Sequence, residues 1–118
     1  MNPHGAEAED EALRYLLSHG LKLRERNYTC RLGEIDLILT EGQTLVFVEV
    51  RMRRNASFGG AAESITTRKR ARLLAAARHY LAGRGSTPAC RFDAVLIEGD
   101  GRPTGSRTRL ESHDRRPS

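Results

Sequence analysis

The sequence predicts an α/β domain in which two helices flank a mixed sheet of four strands. Apolar residues recur at helical spacing in two segments, one near the N-terminus and one in the second half of the chain. Strand-like segments precede and follow the second helical segment, and this order favours a right-handed crossover between two parallel strands. The length of 118 residues suits one domain with its own hydrophobic core.

The first predicted helix covers residues 6–19, because Leu13, Leu16 and Leu17 recur at helical spacing and Gly20 follows as a stop. Three strands come next, and they are predicted at residues 21–28, 33–40 and 44–52.

The second predicted helix covers residues 67–82, begins at a threonine cap and ends before Gly83. An apolar strand at residues 90–98 follows and is expected to lie parallel to the strand at 44–52. Residues 1–100 therefore form the predicted domain. Residues 101–118 are rich in Gly, Pro, Ser, Thr and Arg and are expected to form a disordered basic tail.

Several polar side chains are predicted to share one face of the sheet. If Glu41-Gly42 is a two-residue hairpin turn, residues whose numbers sum to 83 lie opposite each other. Because side chains alternate along a strand, this register gives one face the following residues: Glu34, Asp36, Glu49 and Arg51.

Two of these acidic residues interrupt strands that are otherwise apolar. Asp36 lies within residues 35–39 and Glu49 within residues 46–50, although strand interiors are normally depleted of Asp and Glu. A divalent cation such as Mg²⁺, with Arg51 holding a phosphate oxygen or orienting the water, explains the pattern. A salt bridge at a sheet edge, either of Glu49 with Arg51 or of Glu34 with an arginine in a loop, explains it as well.

Glu9 is a fourth candidate, because it lies on the apolar stripe of the first helix together with Leu13 and Leu16. A carboxylate on a core-facing stripe is costly unless a neighbouring group compensates its charge. A solvated position in the first turn, favoured by the helix dipole, is the alternative.

The net charge of +5 is unevenly distributed along the chain. Residues 50–79 carry eight basic side chains and one acidic side chain, and 18 of the 20 basic residues are arginines. Arginine favours bidentate phosphate contacts, so the block favours a nucleic-acid partner. A solvated surface in an arginine-rich chain is the equally weighted alternative.

Two strand segments carry a family resemblance: GEIDLI at residues 33–38 and VFVEVR at residues 46–51. Shorter motifs continue it at residues 64–66 and at CRFD, residues 90–93, where Asp93 is expected to contact Arg91. Over residues 8–98 the chain resembles the YraN-like family of uncharacterised bacterial proteins. That family is similar to the restriction-endonuclease-like PD-(D/E)XK nucleases and, within them, to archaeal Holliday-junction resolvases.

The resemblance implies an αβββαβ restriction-endonuclease-like core and Mg²⁺ or Mn²⁺ as cofactor. It implies three metal ligands, Glu9, Asp36 and Glu49, which with Arg51 form the catalytic set. Arg51 departs from the pattern, because the nuclease motif has lysine there. Arginine stays protonated, so it can position or stabilise but cannot accept a proton from water.

The resemblance implies that the protein binds branched or structured DNA, rather than RNA, and hydrolyses its phosphodiester bonds. A non-catalytic nucleic-acid-binding module of the same fold is the alternative, and a domain that meets an acidic protein is a third. A homodimer would suit a four-way junction. The expected contacts to the nucleic-acid backbone are Arg53, Arg54, Arg68, Lys69 and Arg72.

A cytoplasmic location is expected, with no membrane partner, because the sequence has neither a signal peptide nor an apolar run of about 18 residues. Cys30 and Cys90 are expected to stay reduced in such a compartment.

Overall fold

The structure, a computed structural model, describes residues 3–53, 67–83, 88–98 and 108–110. It confirms the α/β fold and the αβββαβ order. The elements are α1 (Pro3–Ser18), β1 (Lys22–Cys30), β2 (Gly33–Glu41), β3 (Thr44–Arg53), α2 (Thr67–Ala82), β4 (Cys90–Glu98) and β5 (Thr108–Leu110). They form one mixed sheet in the order β1-β2-β3-β4-β5, with one helix packed on each face.

The parallel pairing predicted for the crossover is confirmed, because β3 and β4 run parallel from Leu45 opposite Cys90 to Arg53 opposite Glu98. The pairs β1–β2, β2–β3 and β4–β5 are antiparallel. No helix of the described residues has both the length and the apolar character that a membrane span needs.

Alternation along β3 divides the core between the two helices. On one face α1 buries Ala12 and Leu16 against Val46 and Val48. On the other face α2 buries Leu73, Ala76 and Ala77 against a cluster that includes Ile38, Phe47 and Phe92. A strand with buried side chains on both faces is apolar nearly throughout, so Glu49 stands out in β3 for a physical reason.

The predicted hairpin register between β2 and β3 is wrong by two residues. Glu41 lies opposite Thr44, so the turn is Gly42-Gln43 and paired residue numbers sum to 85. Gly42 has a φ of 63°, which a type II′ turn requires at its first central position. A slip of one residue would have reversed every side chain, whereas a slip of two leaves the paired residues of both strands on their predicted faces.

The alternation of β2 breaks at Asp36. Ile35 packs on the α2 side, whereas Leu37 and Leu39 pack on the α1 side. On β1, Asn27 has a φ of 54°, a left-handed conformation that asparagine tolerates better than most residues. Its neighbours pair as Arg26 with Leu37 and Tyr28 with Ile35, so Asn27 and Asp36 share the irregularity.

Three residues of the predicted tail lie in the sheet. Thr108–Leu110 forms β5, which pairs antiparallel with β4 through Asp93 and its neighbours. The rest of residues 101–118 lies outside the described residues.

Gly33 sets the distance between β2 and α2. A Cβ at this position would lie 2.5 Å from the backbone oxygen of Arg72, closer than packed atoms allow. The first residue of β2 therefore touches the α2 backbone itself, and this contact fixes the helix against the sheet.

We expect Gly33→Ala to lower the free energy of unfolding by about 1–3 kcal/mol, because strand and helix must separate to admit the methyl group. Gly83→Ala is the matched control, since its Cβ would enter open space. Urea denaturation of the two variants and the wild type checks the prediction. Equal losses in both variants would show that the Gly33 contact does not hold α2 in place.

Candidate active site

Three of the predicted polar residues line one small pocket. Glu34 and Asp36 of β2 and Glu49 of β3 lie around it, together with Lys69, Arg72 and Leu73 of α2. Its volume of about 80 Å³ admits a few water molecules or a partly hydrated ion. The structure thus brings acidic residues from two strands to one place beneath the first turns of α2.

Asp36 lies where the pairing of β2 with β3 ends. The ladder between these strands runs from Glu41 opposite Thr44 to Leu37 opposite Val48. Beyond it, the Val50 backbone N–H donates a 2.8 Å hydrogen bond to Oδ2 of Asp36. A side-chain carboxylate thus binds the backbone of the neighbouring strand, which fixes its orientation.

The electrostatics at Asp36 show how much negative charge converges there. Burial, followed by the negative charge of Glu49, raises the pKa of Asp36 from 3.8 to about 7. The Val50 hydrogen bond acts to lower this pKa, and the charges of Glu9 and Glu34 add smaller increases. Burial and the neighbouring carboxylates thus both disfavour the ionised form of Asp36.

Glu49 is held between two cations. Its Oε2 lies 3.6 Å from Nη1 of Arg51 and 3.6 Å from Nζ of Lys69. The salt bridge offered as the alternative to a metal site is therefore present. It does not exclude the site, because the same carboxylate lines the pocket with Asp36.

Glu9 comes near the site from α1 but is held by β1. Its Oε1 accepts hydrogen bonds from Nδ2 of Asn27 at 3.2 Å and from Nη2 of Arg26 at 3.4 Å. Its side chain is 14% exposed, which does not fit the solvated first-turn alternative. Its charge acts on Asp36, but its carboxylate is engaged elsewhere.

The predicted basic contacts fall into two groups. Arg68, Lys69 and Arg72 are exposed on the first turns of α2, and the last two also line the pocket. The side chain of Arg53 and all of Arg54 lie outside the described residues.

The residues present fit a divalent cation held by two carboxylates. Among the described residues no group of three or more His, Cys, Asp and Glu side chains is arranged as a metal site. Mg²⁺, however, is commonly bound by one or two carboxylates, with water and substrate phosphate as the other ligands. Asp36 and Glu49 are two carboxylates that line one pocket, as such a site requires.

Sequence reasoning missed Arg26 and Asn27, which hold Glu9, and the role of Gly33 in seating α2. The one signal available for Asn27 is its tolerance of left-handed backbone, which does not reveal where such backbone occurs. The contact predicted for Asp93 is confirmed, since Nε of Arg91 donates to its two oxygens at 3.2 and 3.1 Å.

The fold and the site define a small αβββαβ protein with an acidic pocket beneath its second helix. Residues 8–97 match the sequence model described as "Uncharacterised protein family UPF0102", and the chain belongs to this family. The family resemblance read from the strand motifs is thereby confirmed.

Its relatives match over most of their length. A UPF0102 protein of Nitrosomonas europaea is 57% identical over 96 residues, which are 81% of each chain. One of Nitrosospira multiformis is 55% identical over 96 residues, again 81% of each chain. One of Methylobacillus flagellatus is 55% identical over 97 residues, or 82% of this chain and 85% of the relative.

We expect Asp36→Asn to be more stable than the wild type at neutral and alkaline pH when metal is removed with EDTA. Because folding raises the pKa of Asp36 from 3.8 to about 7, the folded wild type loses stability as pH rises through this range. Asparagine cannot ionise, and its amide oxygen can still accept the Val50 hydrogen bond. The variant should gain up to about 4 kcal/mol above pH 7 and almost nothing near pH 4.

Thermal and urea unfolding between pH 4 and pH 8 test this, with Glu7→Gln at an exposed position of α1 as the control. A stability difference that stays constant across this range would show that Asp36 ionises normally in the folded protein.

Proposed function

We propose that this protein binds branched or structured DNA and hydrolyses its phosphodiester bonds with a divalent metal ion at Asp36 and Glu49. One observation carries the proposal: carboxylates from two strands and cations from α2 line the same pocket. Carboxylates attract a metal ion, and Lys69 and Arg72 attract the phosphate on which that ion acts.

The side chains have separable roles. Val50 orients Asp36 through its backbone N–H, and Arg51 and Lys69 hold Glu49 from two sides. A bound Mg²⁺ or Mn²⁺ supplies charge neutralisation at the phosphate and a lowered pKa for its water. Arg72 and Arg68 bind neighbouring backbone phosphates, which positions the strand over the pocket.

The position of Lys69 bears on the missing lysine at position 51. The chain has two lysines, and the Nζ of this one lies 3.6 Å from Glu49. The pocket therefore contains an ammonium group from α2 although β3 supplies a guanidinium. This geometry is compatible with a catalytic site whose lysine comes from α2.

We expect the wild type to cut a panel of four-way junctions, flaps and forks when Mg²⁺ or Mn²⁺ is present, and to stop when EDTA removes the metal. Asp36→Asn and Glu49→Gln should lower the rate at least 100-fold, because each removes a metal-binding carboxylate. Glu7→Gln, an exposed acid on α1, should retain the wild-type rate.

Gel analysis of the products and calorimetric titration with Mn²⁺ make the comparison. If the wild type and Glu49→Gln give the same calorimetric titration with Mn²⁺, Glu49 does not bind the metal. The proposed metal site is then wrong, whatever the gels show.

A non-catalytic DNA-binding module is the second candidate, favoured by the Arg51–Glu49 contact, because an arginine that pairs with this carboxylate competes with a metal ion. Arg51→Lys separates the two functions. If the protein is an enzyme that uses Lys69, this variant should cut within about threefold of the wild type, and Lys69→Arg should lose most activity while it keeps DNA affinity. Cutting that appears only in Arg51→Lys would identify the native protein as a binder.

A further inference from the structure

A second and larger cavity lies on the other side of Gly33 from the acidic pocket. Within the described residues it is lined by Arg31 and Leu32, from the turn between β1 and β2, and by His79 of α2. Its volume of about 360 Å³ is in the range of small-ligand clefts. Leu32 is 53% exposed, more than any other large apolar side chain described.

The imidazole in this cavity is held in place. Nδ1 of His79 lies 2.5 Å from the phenol oxygen of Tyr28. Tyr28 in turn packs edge-on against Tyr80, with 5.3 Å between the ring centroids. When the phenol donates to Nδ1, the neutral imidazole carries its proton on Nε2, the nitrogen away from Tyr28.

The cavity combines three kinds of group that bind a nucleotide. Arg31 offers a guanidinium to a phosphate, whereas Leu32 and the ring of His79 offer surfaces to the face of a base. Unpaired bases are commonly held by stacking on aromatic or histidine rings and on apolar side chains, beside a cationic group for the backbone. Leu32 is poorly suited to solvent, so a base that covers it removes apolar surface from water.

The cavity and the acidic pocket are lined by neighbouring parts of the same two segments, residues 31–36 and α2. Leu32 and Glu34 flank Gly33, and each lines one of the two spaces. On α2, Arg72 and His79 are seven residues apart, which is two helical turns or about 10 Å. Two spaces lined by residues this close on one helix are within reach of a single nucleic-acid strand.

We propose that the cavity of Arg31, Leu32 and His79 holds an unpaired nucleotide of the strand whose backbone lies at the acidic pocket. This inference rests on the proposed function and gives it a substrate class. The protein selects DNA with unpaired nucleotides beside the bound phosphate, such as a fork or a bulge, over an intact duplex.

Fluorescence anisotropy in EDTA with the full chain tests the proposal on two labelled probes of equal length, a continuous duplex and a fork. Leu32→Ser and His79→Gln should weaken binding to the fork about tenfold, the scale of one lost stacking contact, and leave the duplex within twofold. Leu17→Ser is the matched control, since Leu17 is 45% exposed on α1, and it should change neither affinity.

Two charge variants separate this proposal from the proposed function. Lys69→Gln should weaken the binding of both probes. Arg31→Gln should reduce the slope of log affinity against log salt concentration for the fork by about 1. Thermal unfolding checks the fold of every variant, and Leu32→Ser changes an exposed side chain.

Equal losses on the two probes, or no loss on either, for Leu32→Ser and His79→Gln would overturn the nucleotide site and leave the proposed function in place. A wild type without salt-sensitive affinity for either probe would overturn both. Selective loss on the fork supports the site.

Discussion

The hydrogen bond from the Val50 N–H to Asp36 is the interaction on which the site depends. It lies where main-chain pairing between β2 and β3 stops, so the carboxylate takes over a backbone donor of the neighbouring strand. The same bond holds this acid close to Glu49, although burial and, after it, the negative charge of Glu49 raise its pKa to about 7. This one hydrogen bond thus joins the two strands and also keeps two carboxylates close together.

The second helix supplies the opposite charge, and its position follows from Gly33. Because the strand has no Cβ there, the α2 backbone approaches β2 closely and brings Lys69 and Arg72 to the acidic pocket. The same approach leaves the turn residues Arg31 and Leu32 beside the far end of α2, where the second cavity lies. The close approach at Gly33 therefore positions α2 for both the acidic pocket and the second cavity.

Membership of UPF0102 gives the chain a family without giving it an activity. The chemistry has to be argued from the site, since a fold can be kept when a function is lost. Arg51 illustrates the point: its contact with Glu49 is compatible both with a binder and with an enzyme whose lysine comes from α2. The metal hypothesis rests on two carboxylates that line one pocket, rather than on family membership.

The local sequence determined the order of helices and strands, the parallel pair and the shared face of Asp36 and Glu49. These follow from periodicity, and the face survived a register error because that error was two residues rather than one. Tertiary structure alone decided the break at Asn27 and Asp36, the engagement of Glu9 by β1, and the meeting of Leu32 with His79. Each of these depends on contacts between segments far apart in the chain, which no local pattern encodes.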